Sequence, residues 1–159
     1  MALFLSTFVN KVDKKGRVSV PAPFRTALAG QSFSGIVAFR SFKLPAIEGS
    51  GIDRMEEMSA RIDALDEFSE DRDALSSIFA DAEQLAFDGE GRVVLPQALC
   101  GHAGITENAA FVGLGRTFQI WEPQRFERHR DELRERARRQ GTTLPTRHPD
   151  LLPPEREPR

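Results

Sequence analysis

The chain is poor in the residues that most often carry chemistry: it has one cysteine, one tryptophan and three histidines among 159 residues. Cys100 has no second cysteine to pair with, so an intrachain disulfide is excluded and nothing points to an oxidising compartment. His102, His129 and His148 have no ligand-like spacing to one another or to Cys100, so no metal site is expected. There is no Gly-x-Ser-x-Gly, no Gly-rich phosphate loop and no histidine close in sequence to a candidate nucleophile. An enzyme is therefore the weaker reading, with no catalytic residue and no cofactor expected. Residues 1–5 lack a basic n-region and are too short for a signal or membrane segment, which leads to the expectation of a cytosolic protein without a membrane partner.

What the chain does have is a repeat. Asp13-Lys14-Lys15-Gly16-Arg17 returns as Asp88-Gly89-Glu90-Gly91-Arg92, and each copy runs into a short strand-like stretch closed by proline: Val18-Ser19-Val20-Pro21, then Val93-Val94-Leu95-Pro96. Asp13 and Asp88 are 75 positions apart, as are Pro21 and Pro96, so no residue has been gained or lost inside the motif. A period this long marks a duplicated supersecondary unit. The length suits one compact domain, or two small units sharing a core, and an apolar fraction of 40% is enough to build it.

The net charge of −2 conceals a polarity along the chain. Up to Gly30 the charged residues are Lys11, Lys14, Lys15, Arg17 and Arg25 against Asp13 alone, whereas between Glu48 and Glu90 acids far outnumber Arg54, Arg61 and Arg72. Basic charge is thus concentrated on the first copy of the motif. The second copy carries Glu90 where the first has Lys15.

Each copy reads as strand, turn, strand, short helix, strand. Phe8 and Val12 precede the first turn and Val18 and Val20 follow it, as a hairpin would place them, and the Lys15-Gly16 pair suits the positive φ of a tight reversal. Pro21 ends the strand, Pro23 opens a short helix through Phe24, Ala27 and Leu28, and Gly30 is its expected C-cap. Ile36 to Phe39 is the next strand. The second copy repeats the order at Leu85–Phe87, Val93–Leu95, a helix around Ala98–Cys100, and Ala110–Val112. Between the copies, apolar residues from Ile52 to Ala82 recur at three- and four-residue steps, as in one long amphipathic helix or two with a break near Ser69-Glu70-Asp71. That apolar stripe is too extensive for a small β-core to cover fully. Glu122-Pro123 opens a further helix carrying Phe126, Leu133 and Ala137 among many arginines. The resulting divisions are a first repeat at 7–50, a helical link at 51–80, a second repeat at 82–125, a helix at 126–140 and a proline-rich, disordered tail at 141–159.

The motif admits two functions. Asp13, Gly16, Asp88, Gly91 and Arg92 fit a structural turn, the aspartate holding backbone amides and pairing with the arginine. For the second copy that structural reading is preferred, because its turn is nearly neutral and offers little to a phosphate. For the first, Lys14, Lys15 and Arg17, with Lys11 nearby, crowd cations onto one tip and favour contact with DNA. The arginines from Arg125 to Arg139 are interleaved with acids and read as a solvated helix face. A protein that binds partners through its acidic and arginine-rich helices, without specific DNA recognition, is the alternative.

Two copies of Asp-x-x-Gly-Arg-Val-x-[Val/Leu]-Pro, the run Phe8 to Asp13, Pro23-Phe24-Arg25, the run Cys100 to Ile105 and Phe118-Gln119-Ile120-Trp121 together resemble the MraZ family of bacterial transcriptional regulators. The likeness extends from Thr7 to about Arg139, with Ser6 standing where many members have glycine. The resemblance implies an α+β fold: tandem AbrB-like, swapped-hairpin half-domains forming one pseudo-two-fold, β-barrel-like unit with flanking helices. It implies a DNA-binding regulator found in the cytoplasm on the nucleoid. Its partners would be further copies of itself, in a closed ring, and short direct repeats of double-stranded DNA in the promoter of its own cell-division and cell-wall operon. Lys14, Lys15 and Arg17 match the family's basic DNA-facing loop.

Overall fold

The computed structural model describes residues 2–145, and the expected disordered tail lies for the most part outside them. It divides into two compact units, residues 1–126 and 127–159.

The first unit contains eight strands. In chain order these are β1 (Thr7–Lys11), β2 (Arg17–Ser19), β3 (Gly35–Arg40), β4 (Ile47–Ser50), β5 (Glu83–Ala86), β6 (Arg92–Val94), β7 (Asn108–Gly113) and β8 (Phe118–Trp121). Four helices connect them: α1 (Ala22–Ala27), α2 (Ile52–Asp63), α3 (Glu70–Asp81) and α4 (Gln97–Ala103). A fifth, α5 (Pro123–Gln140), begins at the end of this unit.

Six strands form an antiparallel sheet in the order β1-β7-β8-β4-β3-β5, and β2 and β6 form a separate two-stranded ribbon. The sheet is open, with β1 and β5 at its edges, so the barrel-like closure expected from the resemblance is not present. The hairpin expected around the first turn is also revised. Its two arms share a backbone bridge at Val12–Val18 and a hydrogen bond from Asn10 Nδ2 to the Ser19 carbonyl at 2.7 Å, but their ladders diverge: β1 pairs with β7, Phe8 opposite Phe111, while β2 pairs with β6, Val18 opposite Val93. Strands of the first copy thus find partners in the second, and β3 likewise pairs with β5.

Strand alternation explains how one sheet serves several cores. On β3, Ile36 and Ala38 face a central cluster with Phe24, Phe111, Phe118, Val18 and Val93, whereas Val37 and Phe39 face Met55 and Ile78 on the helical side. Phe24 is fully buried and its ring meets those of Phe4, Phe8, Phe111 and Phe118 at centroid distances from 5.1 to 6.3 Å. Truncation at such a site costs roughly 3–5 kcal/mol. Trp121, Ala110 and Val112 pack with Phe126, the first apolar residue of α5.

The stretch between the copies forms two helices. The break spans residues 64–69, and Ser69 caps α3 by accepting a hydrogen bond from the Arg72 amide at 3.4 Å. Met55, Ile62 and Ile78 are buried, while Leu65 and Phe68 at the break are exposed, Phe68 by 91%. Gly30 is not the C-cap of α1; Leu28 is, and Gly30 follows with φ of 83°. Ser6 also adopts a left-handed φ, 72°, where glycine carries less strain.

The described part of the second unit is the remainder of α5 and a short extension. Arg138 pairs with Glu135 at 2.8 Å, Leu133 is exposed, and the Thr142 amide closes the end on the Ala137 carbonyl. Among the described residues no helix is long and apolar enough to cross a membrane, and no group of three or more metal-ligating side chains converges.

Candidate nucleic-acid interface

The two copies of the motif build the same turn. In the first, Asp13 Oδ1 accepts from the amides of Lys15 and Arg17, each at 2.9 Å, and Oδ2 accepts from Arg17 Nε at 2.7 Å. In the second, Asp88 Oδ1 accepts from Glu90 and Arg92 at 2.8 and 2.9 Å, and Oδ2 from Arg92 Nε at 2.9 Å. Gly16 and Gly91 close the turns with φ of 85° and 75°, and each amide bonds back to the aspartate carbonyl. The Asp13 carboxyl is held below the ordinary carboxylate value, first by the Arg17 backbone N–H and then by the Arg17 side chain. Asp88 is lowered in the same way, chiefly by the Arg92 backbone N–H.

The turns sit at opposite ends of the ribbon. Gly16 O accepts from the Leu95 amide at 2.8 Å, and Gly91 O accepts from Val20 at 3.1 Å. Val18 and Val93 point into the core, each 1% exposed, so the alternate positions Arg17, Ser19, Arg92 and Val94 form the outward face. At the first end lie Lys14 and Lys15, both exposed, with Arg17 engaged through Nε. Lys11 is exposed at the end of β1, where it pairs with Asn108.

The other end is built differently. Arg25 from α1 donates through Nε to the Val20 carbonyl at 3.1 Å and lies over Gly91, its Nη1 2.6 Å from where a Cβ on that glycine would be. Gly91 is buried beneath it, whereas Gly16 is half-buried. The counterpart of Arg25 at the 75-residue offset is Cys100, which carries no charge to set over the first turn and whose thiol is pushed up in pKa by burial. Sequence reasoning missed this placement of Arg25, and also the exposed pair Ser19 and Val94. The only available signal was the offset itself, which places Ser19 and Val94 at equivalent positions.

A two-stranded ribbon is one of the elements that a DNA major groove admits, and this one carries exposed lysines at its first end. Comparison with known proteins agrees with the family resemblance. The model of the family described as "MraZ protein, putative antitoxin-like" matches residues 78–146. The chain is 50% identical over 145 residues to a protein of Rickettsia akari named Transcriptional regulator MraZ, covering 91% of this chain and 97% of that one. Similar proteins with the same name in Rickettsia africae and Rickettsia typhi are 48% and 46% identical over 149 residues, covering 93% of this chain and all of theirs. The chain belongs to the MraZ family.

Proposed function

We propose that the chain is a sequence-specific DNA-binding transcriptional regulator, not an enzyme, and that its first turn is the principal contact. The observation that carries this reading is the contrast within one ribbon: identical backbone turns, with Lys14, Lys15 and Arg17 on one and Gly89, Glu90 and Arg92 on the other. Lys14 and Lys15 are bound to nothing through their side chains among the described contacts and are free to meet phosphates. Arg17 is oriented by Asp13 through Nε, which leaves its Nη edge to address a guanine. Lys11 adds charge beside the same end.

One turn of this kind neutralises only a few phosphates, and the net charge of −2 opposes general DNA binding. A closed ring of copies meets that difficulty by presenting the turn several times to evenly spaced direct repeats, at millimolar effective concentration. An open apolar groove of about 410 Å³, lined by Phe39, Phe42, Leu44 and Met58, and the exposed Phe68 supply surface for subunit contact. In the same reading residues 7–50 and 82–125 are AbrB-like half-domains of swapped-hairpin type, joined by 51–80 and followed by the helix at 126–140. The exchange of strand partners between the copies supports it. The proposed target is the promoter of the protein's own division and cell-wall operon, which places it in the cytoplasm on the nucleoid.

The test is a shift assay with duplexes carrying direct repeats from that promoter, against scrambled duplexes, with light scattering on the same preparation. Selective binding by an oligomer well above a dimer is expected. Equal binding to both duplexes, or a monodisperse monomer at micromolar concentration, overturns the reading and leaves the partner-binding alternative.

A further inference from the structure

We infer that Val94 is a base-reading residue that recognises the C5 methyl of a thymine. The inference rests on the proposed DNA contact and adds to it a residue from the second copy, outside the basic turn.

Val94 is 53% exposed although it lies within the ribbon, in its end pair and between the buried Val93 and Leu95. The alternation leaves it facing outward, directly opposite Arg17 in the register. Its Cγ1 lies 3.6 Å from the position a Cβ on Gly16 would take, so its methyls rest against the first turn. The fold does not require an apolar group there, since the equivalent position of the other copy, opposite Arg92, is Ser19. The two ends of the ribbon thus differ twice in the same sense: cations beside an exposed valine at one end, a near-neutral turn beside a hydroxyl at the other.

In a major groove the bases present donors, acceptors and one apolar group, the thymine methyl. A valine held among cations that seat the ribbon on phosphates has that methyl as its complementary partner. Directly opposed residues of an antiparallel pair stand about 4.5–5.5 Å apart, against roughly 3.4 Å per base step. The thymine therefore lies about one or two steps from the base that Arg17 meets.

The experiment begins with duplexes enriched by the full-length protein from a randomised pool. Each thymine is then replaced by deoxyuridine, which removes the methyl and nothing else, and affinity is measured for the wild type, Val94→Ala and Val94→Ser. At one thymine near the Arg17-dependent position, uridine is expected to weaken wild-type binding roughly three- to five-fold, the worth of one buried methyl. Both variants, folded by circular dichroism, are expected to bind the thymine and uridine duplexes equally. A uridine penalty of the same size in wild type and variants overturns the assignment of Val94, as does tolerance of uridine at every position. Failure to enrich any duplex is a different result and overturns the DNA-binding reading itself.

Discussion

The turn at 13–17 and the turn at 88–92 share every backbone hydrogen bond and the same Asp–Arg pair, but differ in charge at the two positions between. Aspartate, glycine and arginine are the residues that the geometry needs: a carboxylate to hold two amides, a left-handed φ, and a side chain to close on the carboxylate. Positions 14 and 15, like 89 and 90, are exposed and bear no such duty, so they are where duplicated copies are free to diverge. One copy has become a cationic tip. The other has become a turn with one net negative charge and Arg25 laid over it. The difference teaches that one backbone turn can be kept in both copies while the positions it does not use diverge in charge.

The sharpest way to break this comparison is to remove each arginine in turn. Arg17→Ala is expected to lower affinity for a direct-repeat duplex by roughly ten- to a hundred-fold, the scale of one bidentate base contact. Arg92→Ala is expected to change it by less than about three-fold at fixed salt. Equal losses in two folded variants would contradict the asymmetry. The reciprocal experiment transplants charge. Gly89 has open space at its Cβ position and no positive φ, so the double change Gly89→Lys and Glu90→Lys is sterically admissible. It is expected to steepen the dependence of log affinity on log salt by up to roughly two units, about 0.9 for each phosphate gained. Lys14→Ala with Lys15→Ala is expected to flatten it by a similar amount. An unchanged slope in both experiments would show that the turns do not touch phosphate.

The glycines offer a comparison in stability. A Cβ at Gly16 would lie 2.8 Å from the Leu95 carbonyl oxygen, a backbone atom that cannot move without disturbing the ribbon. At Gly91 the obstacle is the Arg25 guanidinium, which can swing away. Both substitutions carry the left-handed penalty of about 1–2 kcal/mol, but Gly16→Ala is expected to lose about 1 kcal/mol more in denaturant unfolding. Gly91→Ala should instead expose Arg25. A larger loss at Gly91 would mean that Arg25 is the more rigid partner.

Much of this was legible in the sequence, for a physical reason. The turn chemistry is local, so Asp, Gly and Arg at fixed spacing specify it without knowledge of the rest of the chain. Helices α2 and α3 followed from periodicity. What was not legible is non-local. Nothing between residues 8 and 20 reveals that the arms of the first turn leave one another for β7 and β6, or that Arg25 crosses to the second turn. Strand β4 escaped because Gly49 weakens its pattern, and that glycine is present because the Phe118 ring occupies the space a Cβ would need. Strand β8, buried on both faces, shows no alternation of polar and apolar residues for a reader to follow.

The smallest expected effect is one in which the two turns should behave alike. Asp13 and Asp88 both have lowered pKa values, each owing most to the backbone N–H of the arginine four residues on. A carboxyl whose pKa is lower folded than unfolded stabilises the fold at pH above its ordinary value. That contribution is lost as the pH falls through the lowered one. Between pH 6 and 8 neither turn should contribute any pH dependence, and the loss should begin only as the pH falls through the ordinary carboxylate range towards the lowered values. Asn substitution removes the titrating charge while keeping an oxygen for the amides. Asp13→Asn and Asp88→Asn are therefore each expected to melt lower than the parent at pH 7, and to lose that gap progressively as the pH falls below the ordinary carboxylate value. Thermal melts across this range check the sign, since a gap that widened on acidification would mean that the carboxylates are not what holds the turns. The melts also separate fold from function. If Asp13→Asn alone reduces DNA affinity at neutral pH while the two variants melt together, the clasp on Arg17 positions a contact that the clasp on Arg92 does not.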